Sequence, residues 1–256
     1  MLNVEHVTKR YGKNLANHDI TFSVEKGKCA ILLGPNGAGK STLIKSIIGL
    51  LKYDGRITIN GISTKSVEAK KIIGYIPEIP ALYPNLTVYE HLEFIARAYK
   101  LQNWKERADE LLEIFELTDK KKKFGDELSK GMQQKLNIVI GLLPDPDFVL
   151  MDEPMIGLDP HAIKQLKAVI EKMNAEGKTL LISTHIIDSV DMIWDNTLIM
   201  QNGEAKAFIS REALDALGKS LEDYFFEVTE GLKPEEQKED KLTAADLSAG
   251  SETEDK

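Results

Sequence analysis

Two kinds of hydrophobic pattern divide this chain. Residues 19–24 (Asp-Ile-Thr-Phe-Ser-Val) and 56–60 (Arg-Ile-Thr-Ile-Asn) alternate polar and apolar side chains strictly. Such alternation predicts half-buried strands with one wet face. Residues 2–7 give a weaker third strand, and the three together predict a small antiparallel sheet. Three other segments, residues 28–33, 72–76 and 148–151, are largely apolar runs, and a fourth, 178–185, is apolar at its centre. They predict strands buried on both faces, as in a parallel sheet covered by helices.

Helical spacing appears between these runs. Leu43, Ile47, Leu50 and Leu51 share a face after the second strand group. Thr87 followed by Glu90 forms a capping box, with Val88, Leu92, Ile95 and Tyr99 behind it. A further helix from about Trp104 to Leu117 turns Leu111, Leu112 and Phe115 inward. Ser129 caps another helix, striped by Met132, Leu136, Val139 and Leu143. Residues of about 87–144 therefore form a helical insert in an α/β chain. A helix follows Pro160 as far as Asn174, and residues 201–204 turn a hairpin whose second arm is 205–209. Residues 211–228 hold one or two closing helices. From 231 to 256 the composition shifts to charged and small residues, which predicts a disordered tail.

The segment before Thr87 breaks both patterns. Pro77, Pro80 and Pro84 exclude a helix over 77–85. Yet this loop carries Ile79, Leu82 and Tyr83, apolar groups that a plain linker does not need.

Composition narrows the class. The 256 residues are 42% hydrophobic and 29% charged, as in soluble globular proteins. A net charge of −8 argues against a broad nucleic-acid surface. The single cysteine, Cys29, excludes an intrachain disulfide and reads as a core residue suited to a reducing compartment. No secretory leader is evident at the N-terminus and no apolar run approaches the ~20 residues of a membrane span. A membrane role would need another chain to do the spanning. Lys120, Lys121, Lys122 and Lys123 form a basic run, either a solvated interhelical loop or a contact for anionic lipid or a partner.

Candidate chemistry starts at Gly34, Pro35, Asn36, Gly37, Ala38, Gly39, Lys40, Ser41 and Thr42. This run fits the phosphate-binding loop G-x-x-x-x-G-K-S/T, set between a strand and a helix as that motif requires. Glycines let backbone N–H groups wrap phosphate oxygens, and the helix N-terminus adds a positive dipole end. Lys40 is suited to the β- and γ-phosphates, and the Ser41 hydroxyl to Mg²⁺. A second apolar strand ends in Asp152, Glu153 and Pro154. In open α/β sheets ligands sit at the carboxyl ends of strands. Asp152 can there share the Mg²⁺, and Glu153 can polarise a water for attack on the γ-phosphate. His185 ends a third such strand, as a γ-phosphate contact or a structural hydrogen-bonder. His6, His18, His91 and His161 read as surface or cap residues, and Trp104 and Trp194 as packing. Tyr11 can stack on an adenine or pack on the sheet. The capped helix start at Ser129 is a weaker second anion site.

In this order the motifs resemble the ATP-binding subunit of an ABC transporter, over about residues 1–230. Residues 34–42 look like its Walker A, 128–133 its signature, 148–153 its Walker B, 157–159 its D-loop, and His185 its switch histidine. Tyr11 matches the aromatic A-loop. The resemblance implies a P-loop NTPase core with a mostly parallel sheet, an N-terminal antiparallel β subdomain and an inserted α-helical subdomain. It implies ATP and Mg²⁺ as ligands and two subunits closing head to tail around two ATP molecules. Ser129, Gly131 and Asp159 would then meet nucleotide across the interface. It further implies an integral membrane permease as partner, no nucleic acid, and a cytoplasmic location on the inner face of the membrane. The loop from Glu78 to Tyr83 would dock a permease helix. Two departures stand out. Glu78 replaces the usual Gln, and a carboxylate there can still ligate Mg²⁺. The signature reads Ser-Lys-Gly-Met-Gln instead of Ser-Gly-Gly-Gln, keeping Ser129 and Gly131. These departures, with residues 221–225 (Leu-Glu-Asp-Tyr-Phe), resemble bacterial exporter-type subunits, including Ecs-like, drug and peptide transporters. An importer subunit or a soluble regulatory ATPase is the alternative.

Overall fold

The structure, a computed structural model, describes residues 1–190 and 193–231. The expected charged tail therefore lies outside the described residues, apart from Gly231. Two compact units are present, Met1–Phe208 and a second beginning at Ile209.

The first unit holds two sheets. One is antiparallel, ordered β2-β1-β4-β5, from β1 (Leu2–Tyr11), β2 (Asn14–Val24), β4 (Asp54–Ile59) and β5 (Ile62–Ser63). The weak alternation at its first strand has a local cause. His6 and Asp19 take left-handed backbone (φ 52° and 51°), and the β1–β2 register shifts between Val4 and Val7. A bulge there moves apolar positions out of strict period two.

The second sheet has the order β10-β9-β3-β8-β7-β6. Its members are β3 (Cys29–Leu33), β6 (Ile73–Ile76), β7 (Phe148–Asp152), β8 (Thr179–Thr184), β9 (Asn196–Gln201) and β10 (Glu204–Ser210). From β9 to β6 every pairing is parallel. Every residue of β3, β7 and β8 is buried, which explains why their central positions are all apolar. The register decides the site. Leu33 pairs with Thr184, and Asp152 with Ser183. Gly34, Glu153 and His185, each one residue further or two, thus emerge along one edge of the sheet.

Helix α1 (Lys40–Ile47) follows the phosphate loop, and the short α2 (Val67–Ile72) precedes β6. The helical spacing beyond Ile47 misleads: α1 stops there, Gly49 turns the chain at φ 78°, and Leu50 is 68% exposed. The insert contains α3 (Val88–Tyr99), α4 (Trp104–Ile114) and α5 (Lys130–Leu142). Leu111, Leu112 and Phe115 are buried as expected. The inward face of α3 is Val88, His91, Leu92 and Ala96, with Tyr99 exposed, so the expected stripe is rotated. Glycines let α5 approach the sheet: a Cβ on Gly74 would lie 2.7 Å from the Gly141 carbonyl, and one on Gly141 2.5 Å from Ile76. Helix α6 (Pro160–Ala175) packs on β8. In the second unit, α7 (Arg211–Ala216) and α8 (Leu221–Glu230) are capped by Ser210 and Ser220. The α/β architecture expected from the motifs is the one observed.

Candidate functional site

A cleft of about 600 Å³ opens where β3 ends. Its floor is the loop Asn36 to Thr42, and its walls carry Tyr11, Asn14 to Ala16, Glu78, Glu153, Asn202 and Gly203. Gly39, at φ 98°, precedes α1 and no side chain caps that helix. Its first backbone N–H groups are left free to face an anion.

The Lys40 ammonium is buried beside this loop. It donates to the carbonyls of Gly34 (2.7 Å) and Pro35 (3.2 Å) and lies 3.3 Å from Glu153 Oε1. Glu153 is itself buried and takes a left-handed backbone (φ 47°) at the end of β7. Its amide donates to Ser183 Oγ at 3.0 Å. His185 Nδ1 lies 2.9 Å from Glu153 Oε1, yet that oxygen accepts no well-aligned hydrogen bond among the described residues. Strain of this kind concentrates at functional positions.

Asp152 is 1% exposed. Its Oδ1 accepts from Ser41 Oγ (3.0 Å) and Ser183 Oγ (2.6 Å). No Lys, Arg or His pairs with it among the described residues. A buried carboxylate balanced only by two hydroxyls fits a cation held through hard oxygens. No group of three or more His, Cys, Asp or Glu side chains forms a metal cage among the described residues. A divalent ion here would complete its shell with nucleotide oxygens. Nearby, burial pushes the Tyr75 phenol well above its ordinary value, reinforced by Asp152 and then Glu78.

Tyr11 stands at the cleft mouth, half exposed, with the Lys9 ammonium 4.8 Å from its ring centroid. Ser129, Gly131 and Asp159 do not line this cleft. They form a separate exposed surface. Ser129 Oγ caps α5 by accepting from the Met132 amide at 3.3 Å. A Cβ on Gly131 would lie 3.2 Å from the Gly157 carbonyl, so the two loops touch. Asp159 caps α6 through the Ala162 amide (2.8 Å), which holds its carboxyl below the usual range, with Lys135 adding to the effect.

Sequence reasoning missed three contributors. Ser183 bridges Asp152 and Glu153, and its only signal was a hydroxyl following the apolar run Leu180-Leu181-Ile182. Asn202 and Gly203 form a wall and looked only like a hairpin turn. His91 is corrected most: it is 3% exposed, not a surface residue. Its Nε2 accepts from the Tyr83 amide (2.9 Å), and its Nδ1 lies 2.8 Å from the Thr87 carbonyl. It ties the proline loop to α3. The basic run beside it also packs: the Lys123 and Lys121 carbonyls accept from the Val88 and Tyr89 amides at the start of α3.

The family model described as "ABC transporter" matches residues 17–156, more than half of the chain. This chain belongs to the ABC transporter family. Among its relatives is the ABC-type transporter ATP-binding protein EcsA of Bacillus subtilis (strain 168), 36% identical over 241 residues, covering 90% of this chain and 96% of EcsA. The linearmycin resistance ATP-binding protein LnrL of the same strain is 39% identical over 209 residues, 80% of this chain and 67% of LnrL. A solved ATP-binding subunit of an ABC transporter superposes with TM-score 0.84 at 37% identity, covering 90% of this chain and all of that one. A dimeric cassette in a post-hydrolysis state with ADP and Pi has TM-score 0.75 at 26% identity over 82% of this chain and 98% of that one. The chain is thus the ATP-binding, ATP-hydrolysing subunit of an ABC transporter. The resemblance drawn from its motifs is borne out, and so is the ATPase activity it implied.

Proposed function

We propose that this ATPase drives export through a separate membrane permease, as one half of a nucleotide-sandwiching dimer. The observation that carries the dimer reading is the division of the site. The phosphate cleft is lined by Lys40, Ser41 and Glu153, with Asp152 bonded to Ser41 and His185 against Glu153, whereas Ser129, Gly131 and Asp159 do not line it. Two copies arranged head to tail complete each cleft with the other's Ser129 surface.

In that arrangement the loop amides and Lys40 hold the β- and γ-phosphates, Tyr11 stacks on the adenine, and Glu78 faces the phosphate end. Ser41 and Asp152 would hold Mg²⁺, and the ion would supply positive charge to offset that of the phosphates. Lys40 leaves Glu153 for the phosphates, which frees the carboxylate to accept a proton from the attacking water. His185, already against Glu153, orients it and reaches the γ-phosphate. Ser183 keeps Asp152 and the Glu153 backbone in register throughout.

The proline loop supports the permease reading. Ile79 is 78% exposed, and Tyr83 and Phe94, also exposed, pack edge to face at 5.6 Å. An apolar surface beside the nucleotide cleft suits a helix of a membrane partner. No helix among the described residues is long and apolar enough to cross a bilayer, so that partner would be another chain at the inner membrane face. Export is favoured by relatives such as the Nod factor export ATP-binding protein I of Burkholderia orbicola (strain AU 1054), 35% identical over 207 residues. The test is a pull-down of tagged Glu153→Gln protein from detergent-solubilised native membranes with MgATP. Recovery of a multi-spanning protein is expected. Recovery of ribosomal or other soluble partners alone would replace the transporter reading with a soluble regulator.

A further inference from the structure

Behind the phosphate loop sits a polar side chain that the mechanism above does not use. Asn17, on β2, is fully buried. Its Nδ2 donates to the Gly39 carbonyl at 3.1 Å. Its Oδ1 has no hydrogen-bond partner among the described residues. The approach is possible only because residue 39 is glycine. A Cβ there would lie 2.5 Å from Asn17 Nδ2 and 2.4 Å from the Ala16 carbonyl.

From these contacts we infer that Asn17 is a positioning residue for ATP: it aims the phosphate-binding amides of the loop. In a planar trans peptide the C=O and N–H point in opposite directions. The Gly39 carbonyl also accepts from the Leu43 amide of α1 at 2.9 Å, so Asn17 is its second anchor, from the β2 side, and the two together fix the direction of the Lys40 N–H, the first free donor of α1. The neighbouring peptide is held in the same way. The Gly203 amide, from the β9–β10 turn, donates to the Ala38 carbonyl at 3.1 Å and so aims the Gly39 N–H. The His18 amide in turn donates to the Gly203 carbonyl at 2.8 Å. Two successive amides of the nest are thus set by a clamp of β2 and the turn. The same stretch of β2 supplies the cleft wall at Asn14 to Ala16, so the wall and the phosphate loop are held in one register. A buried carbonyl oxygen without a partner disfavours the fold. An apolar residue of similar size would fill the site better, which points to a role in nucleotide binding instead of packing.

The inference rests on residues 34–42 being the phosphate site, and Lys40→Ala is the control for that reading. The test uses Asn17→Leu, measured at a temperature where the variant is fully folded. Its thermal midpoint should equal or exceed the parent's. Its KM for MgATP and Kd for MgADP should both rise about five- to tenfold, the loss of one well-placed donor, with kcat at saturation within about threefold. If Asn17→Leu does not fold, Asn17→Ser, too short to reach Gly39, carries the same KM and Kd expectation. KM and Kd within twofold of the parent would overturn the inference and leave Asn17 a packing residue, provided Lys40→Ala abolishes binding. Binding that survives Lys40→Ala would overturn the phosphate-site reading itself.

Discussion

The phosphate cleft and the Ser129 surface are both built from helix starts, yet they are made differently. The cleft stands on the ends of three buried parallel strands. Its central charged groups are buried: Lys40 lies against Glu153, and Asp152 accepts from two hydroxyls with no Lys, Arg or His paired to it among the described residues. The Ser129 surface stands on helix caps and touching loops, with Ser129 and Asp159 exposed. Ser129 and Asp159 satisfy the helices they cap and do not line the cleft. The difference teaches a division of labour. In the proposed dimer, one region binds and positions phosphate within a single chain, and the other acts only against a second copy.

The largest break in this comparison is Glu153→Gln. Removing the base should lower kcat by about 10²–10⁴ while ATP binding persists, measured as steady-state phosphate release beside nucleotide affinity. An equal loss of binding would mean that Glu153 holds the cleft together rather than acting on water. Next is Ser183→Ala, which withdraws a 2.6 Å donor from Asp152 and the acceptor of the Glu153 amide. A fall in kcat of about ten- to hundredfold, with a raised Mg²⁺ requirement, corresponds to a charge-assisted bond worth about 1.5–3 kcal/mol. A change in melting temperature without change in kcat would make Ser183 a core residue only.

Ser129→Ala sharpens the other side. The cap of α5 loses about 1 kcal/mol, a modest shift in melting temperature. Single-chain ATP affinity should stay put, whereas turnover at high protein concentration falls several-fold. A matching drop in single-chain affinity would place Ser129 in the cleft after all.

The smallest effect is a pH dependence in the helical insert, remote from both sites. The Thr87 amide, and then its hydroxyl, hold the Glu90 carboxyl below the usual range. A depressed folded-state value means that the stabilisation is fully present above the unfolded value of about 4.3. It is lost as pH falls through the folded value. Glu90→Gln should therefore lower the melting temperature slightly at neutral pH and leave it unchanged near pH 2–3, read by circular dichroism across pH.

The cleft was largely legible from the order of amino acids alone. Its residues sit at the ends of apolar strands or in a glycine loop, and both features are local. The capping box at Thr87 was equally local. What escaped depended on contacts between distant segments. Ser183 gains meaning only through its register with Asp152, and Asn17 only through the closeness of Gly39. His91 looked like one more exposed helix residue because its partner, the Tyr83 amide, comes from a loop with no periodicity. The spacing of Leu50 and Leu51 suggested more helix than exists, since Gly49 ends the turn regardless of the apolar pattern. The left-handed backbone of Glu153 had no sequence signal at all.

The most direct test of this divided site is the mass of purified Glu153→Gln protein in solution by sedimentation velocity, with MgATP and with MgADP. The account predicts a dimer with MgATP, a monomer with MgADP, and loss of the MgATP dimer when Ser129→Arg is added. A Glu153→Gln chain that is saturated with MgATP and remains monomeric at high concentration would contradict it.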